Sequence, residues 1–253
     1  MQSPLAPASP SLAMAANLNA VIHRTQDADD ALTAIMSNHV AHHVVDPDEV
    51  LHLDPMNATA LDVAFPKLIA AEPERWLLVL PVPGVLGPLR GPQPLNLAAL
   101  DVGQAVVGAT SGIALIPFRV GRAVQWRAFA GHPPLSPPTP YETERVFKEA
   151  ILSAAQTLQR LDVAGGRRPR QGAEPPLPPG YGGRERATVA RALRMITACD
   201  EALSTDGRSV SSFEVTQRER ELRRIRATAG DALCATVTWL DGESSPRRAG
   251  HDQ

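Results

Sequence analysis

Four histidines lie within fourteen positions of the chain, with carboxylates between and around them. Neutral imidazole nitrogens and carboxylate oxygens are ligands that zinc and iron take in proteins. The HExxH spacing is absent, however, and adjacent histidines of a strand point to opposite faces. We therefore expect a polar strand and turn with solvated histidines, and neither a metal site nor a cofactor. The residues that a metal would use are His39, His42, His43 and His52, together with Asp46, Asp48, Glu49 and Asp54.

A loop rich in glycine and proline follows a predicted strand and precedes a predicted helix, where α/β proteins often bind ligands. Its glycines allow close backbone approach, Arg90 offers a guanidinium fork, and a helix start near Asn96 offers free N–H groups. The spacing matches neither GxGxxG nor the P-loop, and the prolines at positions 83, 88, 92 and 94 remove N–H donors. The pattern favours an ordered structural loop over a small-anion site. In loop 81–96, that site would comprise Gly84, Gly87, Arg90, Gly91 and Asn96.

A predicted helix near the C-terminus carries a basic face of the kind that can follow a phosphate backbone. Three glutamates are interleaved with its arginines, so ion pairs within the helix would absorb much of the charge. No aromatic side chain accompanies the face to stack on bases. The pattern favours a solvated helix face over nucleic-acid binding. The arginines are Arg218, Arg220, Arg223, Arg224 and Arg226, and the glutamates are Glu214, Glu219 and Glu221.

No catalytic constellation emerges from the order of residues. There is no GxSxG nucleophile motif and no CxxC pair. Cys199 and Cys234 lie on predicted helices beside apolar residues, the usual setting of inert buried thiols. The pattern favours a non-catalytic protein.

Strand, loop, helix and hairpin signals follow one another without a gap over residues 75–130. The apolar run 76–80 predicts a short buried strand, and Gly121-Arg122 predicts the type II′ turn of a hairpin. Proline at position 117 cannot donate a hydrogen bond to a further strand. We therefore predict that strand 113–120 is an edge strand, and that strand 123–130 lies inside the sheet beside 76–80.

The sequence predicts an α+β fold, with a small mixed β-sheet and covering helices, followed by a C-terminal helical segment. Thr139 and Glu142 form a capping-box pattern at the start of a long amphipathic helix. The expected organisation is a disordered N-terminus over 1–12, an α+β domain over 13–133, a proline-rich spacer and long helix over 134–164, a flexible linker over 165–186, a helical pair over 187–241 and a disordered tail over 242–253.

The composition gives no sign of a membrane or nucleic-acid protein. The chain has 253 residues and a formal net charge of −2. No apolar run approaches the roughly 20 residues that span a bilayer, and no basic residue precedes the short apolar stretch at the N-terminus. We expect a cytoplasmic protein.

Three segments carry a resemblance to a known family: the run LPVPGVLGPLRGPQPLNLAALDVGQAVV, the segment VQWRAF and the linker PPLPPG. Their layout resembles a conserved family of uncharacterised actinobacterial proteins over most of the chain. The resemblance implies a bacterial, cytoplasmic protein and carries no implication for mechanism.

Three hypotheses for function remain open. The first is a non-catalytic interaction or adaptor protein that binds another protein, because an edge strand, proline-rich spacers and amphipathic helices are common binding devices. The second is a domain, including an enzyme, that binds a small anionic ligand through loop 81–96. The third is nucleic-acid binding through the arginine-rich C-terminal helix, which predicts affinity that falls steeply with salt.

Overall fold

A computed structural model describes residues 9–160, 177–204 and 212–240. The strands are β1 (His42–Val45), β2 (Thr59–Ala60), β3 (Trp76–Val79), β4 (Ala105–Gly108), β5 (Ala114–Val120) and β6 (Ala123–Phe129). The helices are α1 (Pro10–Ile22), α2 (Ala28–Met36), α3 (Leu61–Ala71), α4 (Gln93–Val102), α5 (Pro140–Arg160), α6 (Gly183–Ser204) and α7 (Ser212–Thr238).

The six strands form one mixed sheet in the order β2-β1-β6-β5-β4-β3. Strand β1 runs parallel to β6, and every other neighbouring pair is antiparallel. The last three helices follow the sheet in the chain. The predicted fold class, α+β with a mixed sheet and a C-terminal helical segment, is confirmed.

The hairpin register follows the prediction, since Val120 lies opposite Ala123 across the Gly121-Arg122 turn. The prediction that 113–120 is an edge strand is wrong, because β5 lies between β6 and β4. Strand β6 is interior as expected, but its neighbours are β1 and β5, whereas β3 forms one edge of the sheet.

Pro117 is tolerated inside the sheet because β4 is short. Pro117 lies opposite Trp126 of β6, whereas the pairing of β4 with β5 includes only Ala114 and Leu115. The position without an N–H group is therefore two residues beyond the last residue that pairs with β4. Proline still stands where no hydrogen bond to a further strand is needed, but a short neighbouring strand provides such a position as well as a free edge does.

Alternation along the strands gives the sheet two apolar faces. One face, with Trp76, Leu115 and Trp126, packs against α1 to α3 and α5 to α7 in the larger core. The opposite face, with Leu77 and Ile116, packs against α4 and the loop before it in a smaller core. We call these the helix-covered face and the α4 face.

Two stretches predicted to be disordered or flexible are ordered where the structure describes them. Helix α1 begins at Pro10, and Leu12 is buried, although both positions fall in the predicted N-terminal segment 1–12. Tyr181 of the predicted linker is also buried, and its hydroxyl donates to the backbone oxygen of Val237 at 2.6 Å. Single apolar residues of this kind leave no periodic pattern. Residues 1–8, 165–176 and 242–253 lie outside the described residues.

The start of α5 confirms the predicted capping box. The backbone N–H of Thr139 donates to Oε2 of Glu142 at 2.9 Å, and the N–H of Glu142 donates to the Thr139 hydroxyl at 3.3 Å. Helix α3 has Pro66 in its interior, a residue that lacks an N–H group and kinks or ends most helices.

Candidate functional site

His42, Val124 and Arg119 form one row across the helix-covered face. His42 of β1 and Arg119 of β5 are both paired with Val124 of β6, so their side chains emerge on the same side of the sheet. With strands about 4.8 Å apart, the two Cα atoms lie about 10 Å from each other. The ring of His39, from the turn before β1, meets the ring of His42 edge to face at a centroid distance of 5.0 Å. The fold thus brings two of the four predicted histidines together beside an arginine.

A hydrogen bond fixes the tautomer of His42. Its Nδ1 accepts from the indole N–H of Trp126 at 3.1 Å, so the proton of the neutral ring is on Nε2. That Nε2 is buried without a partner, as is Nδ1 of His39. Burial lowers the pKa of His42 from 6.5 to about 4, with smaller contributions from His39 and His43. Burial and the Arg119 guanidinium also lower the pKa of His39.

The other members of the histidine segment lie apart from this pair. His43 points to the α4 face, as expected for neighbours on a strand, and His52 is exposed in the following loop. Asp46 accepts the backbone N–H groups of Val50, Leu51 and Leu53, so it holds a turn. Among the described residues, no three His, Cys, Asp or Glu side chains converge as a metal site requires.

Loop 81–96 is held by its own contacts. The backbone oxygen of Arg90 accepts from the N–H of His132 at 2.8 Å, and the side-chain nitrogen of Asn96 donates to Gly91 at 3.0 Å. Helix α4 begins at Gln93, three residues before the predicted start, and Pro94 removes one N–H from its first turn. The side-chain oxygen of Asn96 is buried without a partner. Because this atom is an acceptor, it attracts a donor and repels an anion.

The remaining members of the predicted anion site do not converge on a charge. Gly84 and Gly87 have positive φ angles of 86° and 63°, which form turns in the loop. The side chain of Arg90 is exposed. These contacts favour the structural alternative for the loop, and its ligand-binding role stays a prediction.

The arginines of α7 mostly bind neighbouring helices. Arg226 pairs with Asp200 of α6, and Arg218 donates to the backbone oxygen of Ala202 at 2.6 Å. The remaining contacts are Arg223 to Glu219 at 2.8 Å and Arg224 to the Ser153 hydroxyl of α5 at 3.5 Å. Three of the arginines therefore join α7 to α5 and α6, two pair with carboxylates, and nucleic-acid binding by this face stays a prediction.

The two cysteines are free and shielded. Cys199 is 2% exposed, and burial, together with Asp200, raises its pKa to about 11. Burial likewise raises the pKa of Cys234. The thiolate that a nucleophile requires is therefore scarce at neutral pH.

Sequence reasoning missed two buried polar side chains with extensive hydrogen bonding. Glu72 is 0% exposed, and its carboxylate accepts the backbone N–H groups of Thr110 and Ser111 at 2.8 Å each. Burial would raise its pKa, but these hydrogen bonds hold the pKa below the usual value. Asn19 of α1 binds both backbone groups of Trp76, at 2.7 and 2.9 Å, and so occupies the outer edge of β3. Asn19 is one of three polar residues of α1, with Ser11 and Asn17, so its residue type alone did not single it out.

None of the described helices packs on part of the α4 face. Six strands about 4.8 Å apart make a sheet about 24 Å wide, whereas a helix with its side chains is about 10 Å across. Among the described helices, only α4 contributes to the core on this side, and that core lies over β3, β4 and the adjoining ends of β5 and β6. Strand positions beyond it form what we call the open face: His43, Val45, Phe118, Val120, Gln125 and Arg127.

The open face combines apolar side chains with positive charge. Val120 is 58% exposed, and Phe118 is half-buried at the border of the α4 core. The exposed guanidinium of Arg127 lies over the Phe129 ring, 4.9 Å from its centroid. The strand positions of this face include no aspartate or glutamate.

Two family models match the chain. Residues 11–141 match the model described as Rv1486c-like protein, N-terminal domain. Residues 141–234 match the model described as Rv1486c-like protein, C-terminal domain. No curated protein and no solved structure matches the chain. Within the described ranges, no helix has both the length and the apolar character needed to cross a membrane.

Proposed function

We propose that this chain, which belongs to the Rv1486c-like protein family through both of its domains, is a non-catalytic adaptor that binds another protein in the bacterial cytoplasm. The observation that carries the proposal is the open face. It presents exposed Val120 and half-buried Phe118 beside a guanidinium, on a sheet that α4 covers only in part. Apolar and arginine side chains together are typical of the centres of protein interfaces.

The mode of binding is face packing rather than strand addition. At one edge of the sheet, Asn19 occupies the backbone groups of Trp76, and α7 packs against β3. At the other edge, β2 has only two residues, Thr59 and Ala60. Neither edge offers the long unpaired strand that strand addition requires.

The charge of the open face defines the partner. Arg127 is positive, Phe129 holds its guanidinium in place, and no carboxylate lies at the strand positions around it. A second copy of the same face would place two arginines against each other without a counter-charge. The fitting partner is a different protein that presents carboxylates next to apolar side chains.

Site-specific photocrosslinking of the full chain in its host cells tests this proposal. The crosslinker p-benzoylphenylalanine replaces Val120 in one variant and Val63 in a matched control, because these valines are 58% and 64% exposed on different surfaces. We expect a nuclease-resistant adduct with an acidic protein from position 120 alone. Arg127→Glu should abolish the adduct and Arg127→Lys should retain it, while Arg90→Glu should leave it unchanged.

The proposal is contradicted if no adduct forms, or if the chain forms an adduct only with itself. It is also contradicted if positions 120 and 63 give the same adduct, or if Arg127→Glu leaves the yield of the adduct unchanged. An adduct lost on nuclease treatment would point instead to nucleic acid.

A further inference from the structure

We infer that His39, His42 and Arg119 form a binding site for a small oxyanion, a carboxylate or a phosphate group, on the helix-covered face. The site lies on the opposite side of the sheet from the open face and does not depend on the adaptor function. Its frame is the row in which His42 and Arg119 flank Val124, with the ring of His39 against that of His42.

The polar atoms of this site are donors that lack an acceptor. The Trp126 hydrogen bond leaves the proton of His42 on Nε2, which is buried and unpartnered although the residue is only 2% exposed. Nδ1 of His39 is likewise buried and unpartnered. A ring that carries its proton on Nδ1 is a second donor, and the Arg119 guanidinium is a third.

The same groups also lack a counter-charge. Across residues 9–160, 177–204 and 212–240, no carboxylate forms a hydrogen bond or an ion pair with His39, His42 or Arg119. Besides burial, the Arg119 guanidinium lowers the pKa of His39, and His39 in turn lowers the pKa of His42, because positive charges in this cluster repel one another. An oxyanion would accept hydrogen bonds from all three side chains and would remove this mutual repulsion.

The ligand can enter from the turn that carries His39. This ring is half-buried, and its neighbours Ser37, Asn38 and Val40 are exposed, so rotation of the His39 side chain opens a path to Nε2 of His42. Ordered water would satisfy the donors too, but it would not supply a negative charge.

A titration of the full chain labelled with ¹⁵N-histidine tests the site. The probes are inorganic phosphate, succinate and chloride, each added at constant ionic strength near neutral pH. We expect saturable shifts of the His39 and His42 ring nitrogens with phosphate or succinate, and a higher pKa for His39 at saturation. Whichever of the two probes binds more tightly identifies the class of oxyanion.

Two variants on one hairpin make the test specific. Arg119→Gln should weaken binding about 10-fold or more, because it removes a charge-assisted hydrogen bond. Arg122→Gln, three residues away in the exposed turn, should bind as the parent chain does. The inference is overturned if the ring nitrogens do not shift, if chloride shifts them equally, or if Arg119→Gln and Arg122→Gln bind with the same affinity.

Discussion

Acidification should destabilise this fold through His42. The folded protein holds the pKa of this ring at about 4, against 6.5 in the unfolded chain. As the pH falls below about 6.5, the unfolded chain takes up the proton first, so the free energy of unfolding decreases until the pH reaches about 4. A pKa difference of this size corresponds to about 3 kcal/mol. Because the neighbouring His39 ring is half-exposed and solvent screens the charge, we expect about 2 kcal/mol.

Urea unfolding at pH 7.5 and pH 4.5, in the parent chain and in His42→Gln, measures this contribution. Glutamine at this position can still accept from the indole N–H of Trp126, but it does not titrate. The fixed cost of the substitution cancels when each protein is compared with itself at the two pH values. We expect the parent chain to lose about 2 kcal/mol more than the variant on acidification. Equal losses in the two proteins would refute the assignment of His42 as a buried, neutral imidazole.

Three further predictions concern the other buried groups. Glu72→Gln should lower the free energy of unfolding by about 2–3 kcal/mol, since an NH₂ group replaces one of two oxygens that both accept, Oε2 from the N–H groups of Thr110 and Ser111 and Oε1 from the backbone N–H of Glu74, while the exposed control Glu74→Gln should be neutral in the same urea titration. Asn19→Asp should lower the free energy of unfolding by about 3 kcal/mol, because it removes the N–H donor to the backbone oxygen of Trp76 and buries a charge. A variant with the same urea midpoint of unfolding as the parent chain would contradict this prediction. With a pKa of about 11, only about one Cys199 side chain in a thousand is a thiolate at pH 8. Its reaction with a disulfide reagent should therefore be about 100-fold slower in the native chain than in urea. Equal rates in the two conditions would contradict the burial of this thiol.

The sequence predicted well where a local rule decides the structure. The capping box of Thr139 and Glu142 and the turn at Gly121 depend on residues within four positions of each other, and both are confirmed. The order of the strands does not depend on such local contacts. Pro117 correctly marked a position without a further ladder hydrogen bond, but the length of β4 decided whether that position was at an edge. The length of a neighbouring strand cannot be read from the proline itself.

In the candidate sites, too, features set by local rules were predicted and features set by the strand order were missed. Adjacent His42 and His43 were expected on opposite faces of a strand, and they are. The pairing of β1 with β6, in contrast, brings His42 level with Val124 and places Arg119 one strand further along. His42 is 77 positions from Arg119 and 82 from Val124 in the sequence, so only the strand order reveals that the three share a row. Buried Glu72 was missed for the same reason, because its partners Thr110 and Ser111 follow a different strand.

The unequal covering of the two sheet faces links the fold to the proposed function. Among the described helices, α1 to α3 and α5 to α7 pack on one side, and only α4 packs on the other. A helix about 10 Å wide cannot cover a sheet about 24 Å wide, so α4 leaves part of the α4 face uncovered whatever its side chains are. If this uncovered part only faced solvent, we would expect polar residues on it, yet Phe118 and Val120 of β5 lie there. Replacement of Val120 by threonine should therefore leave the free energy of unfolding nearly unchanged while weakening the binding of the purified chain to the partner that the crosslink identifies, and a loss of stability without loss of binding would show that Val120 serves the fold alone.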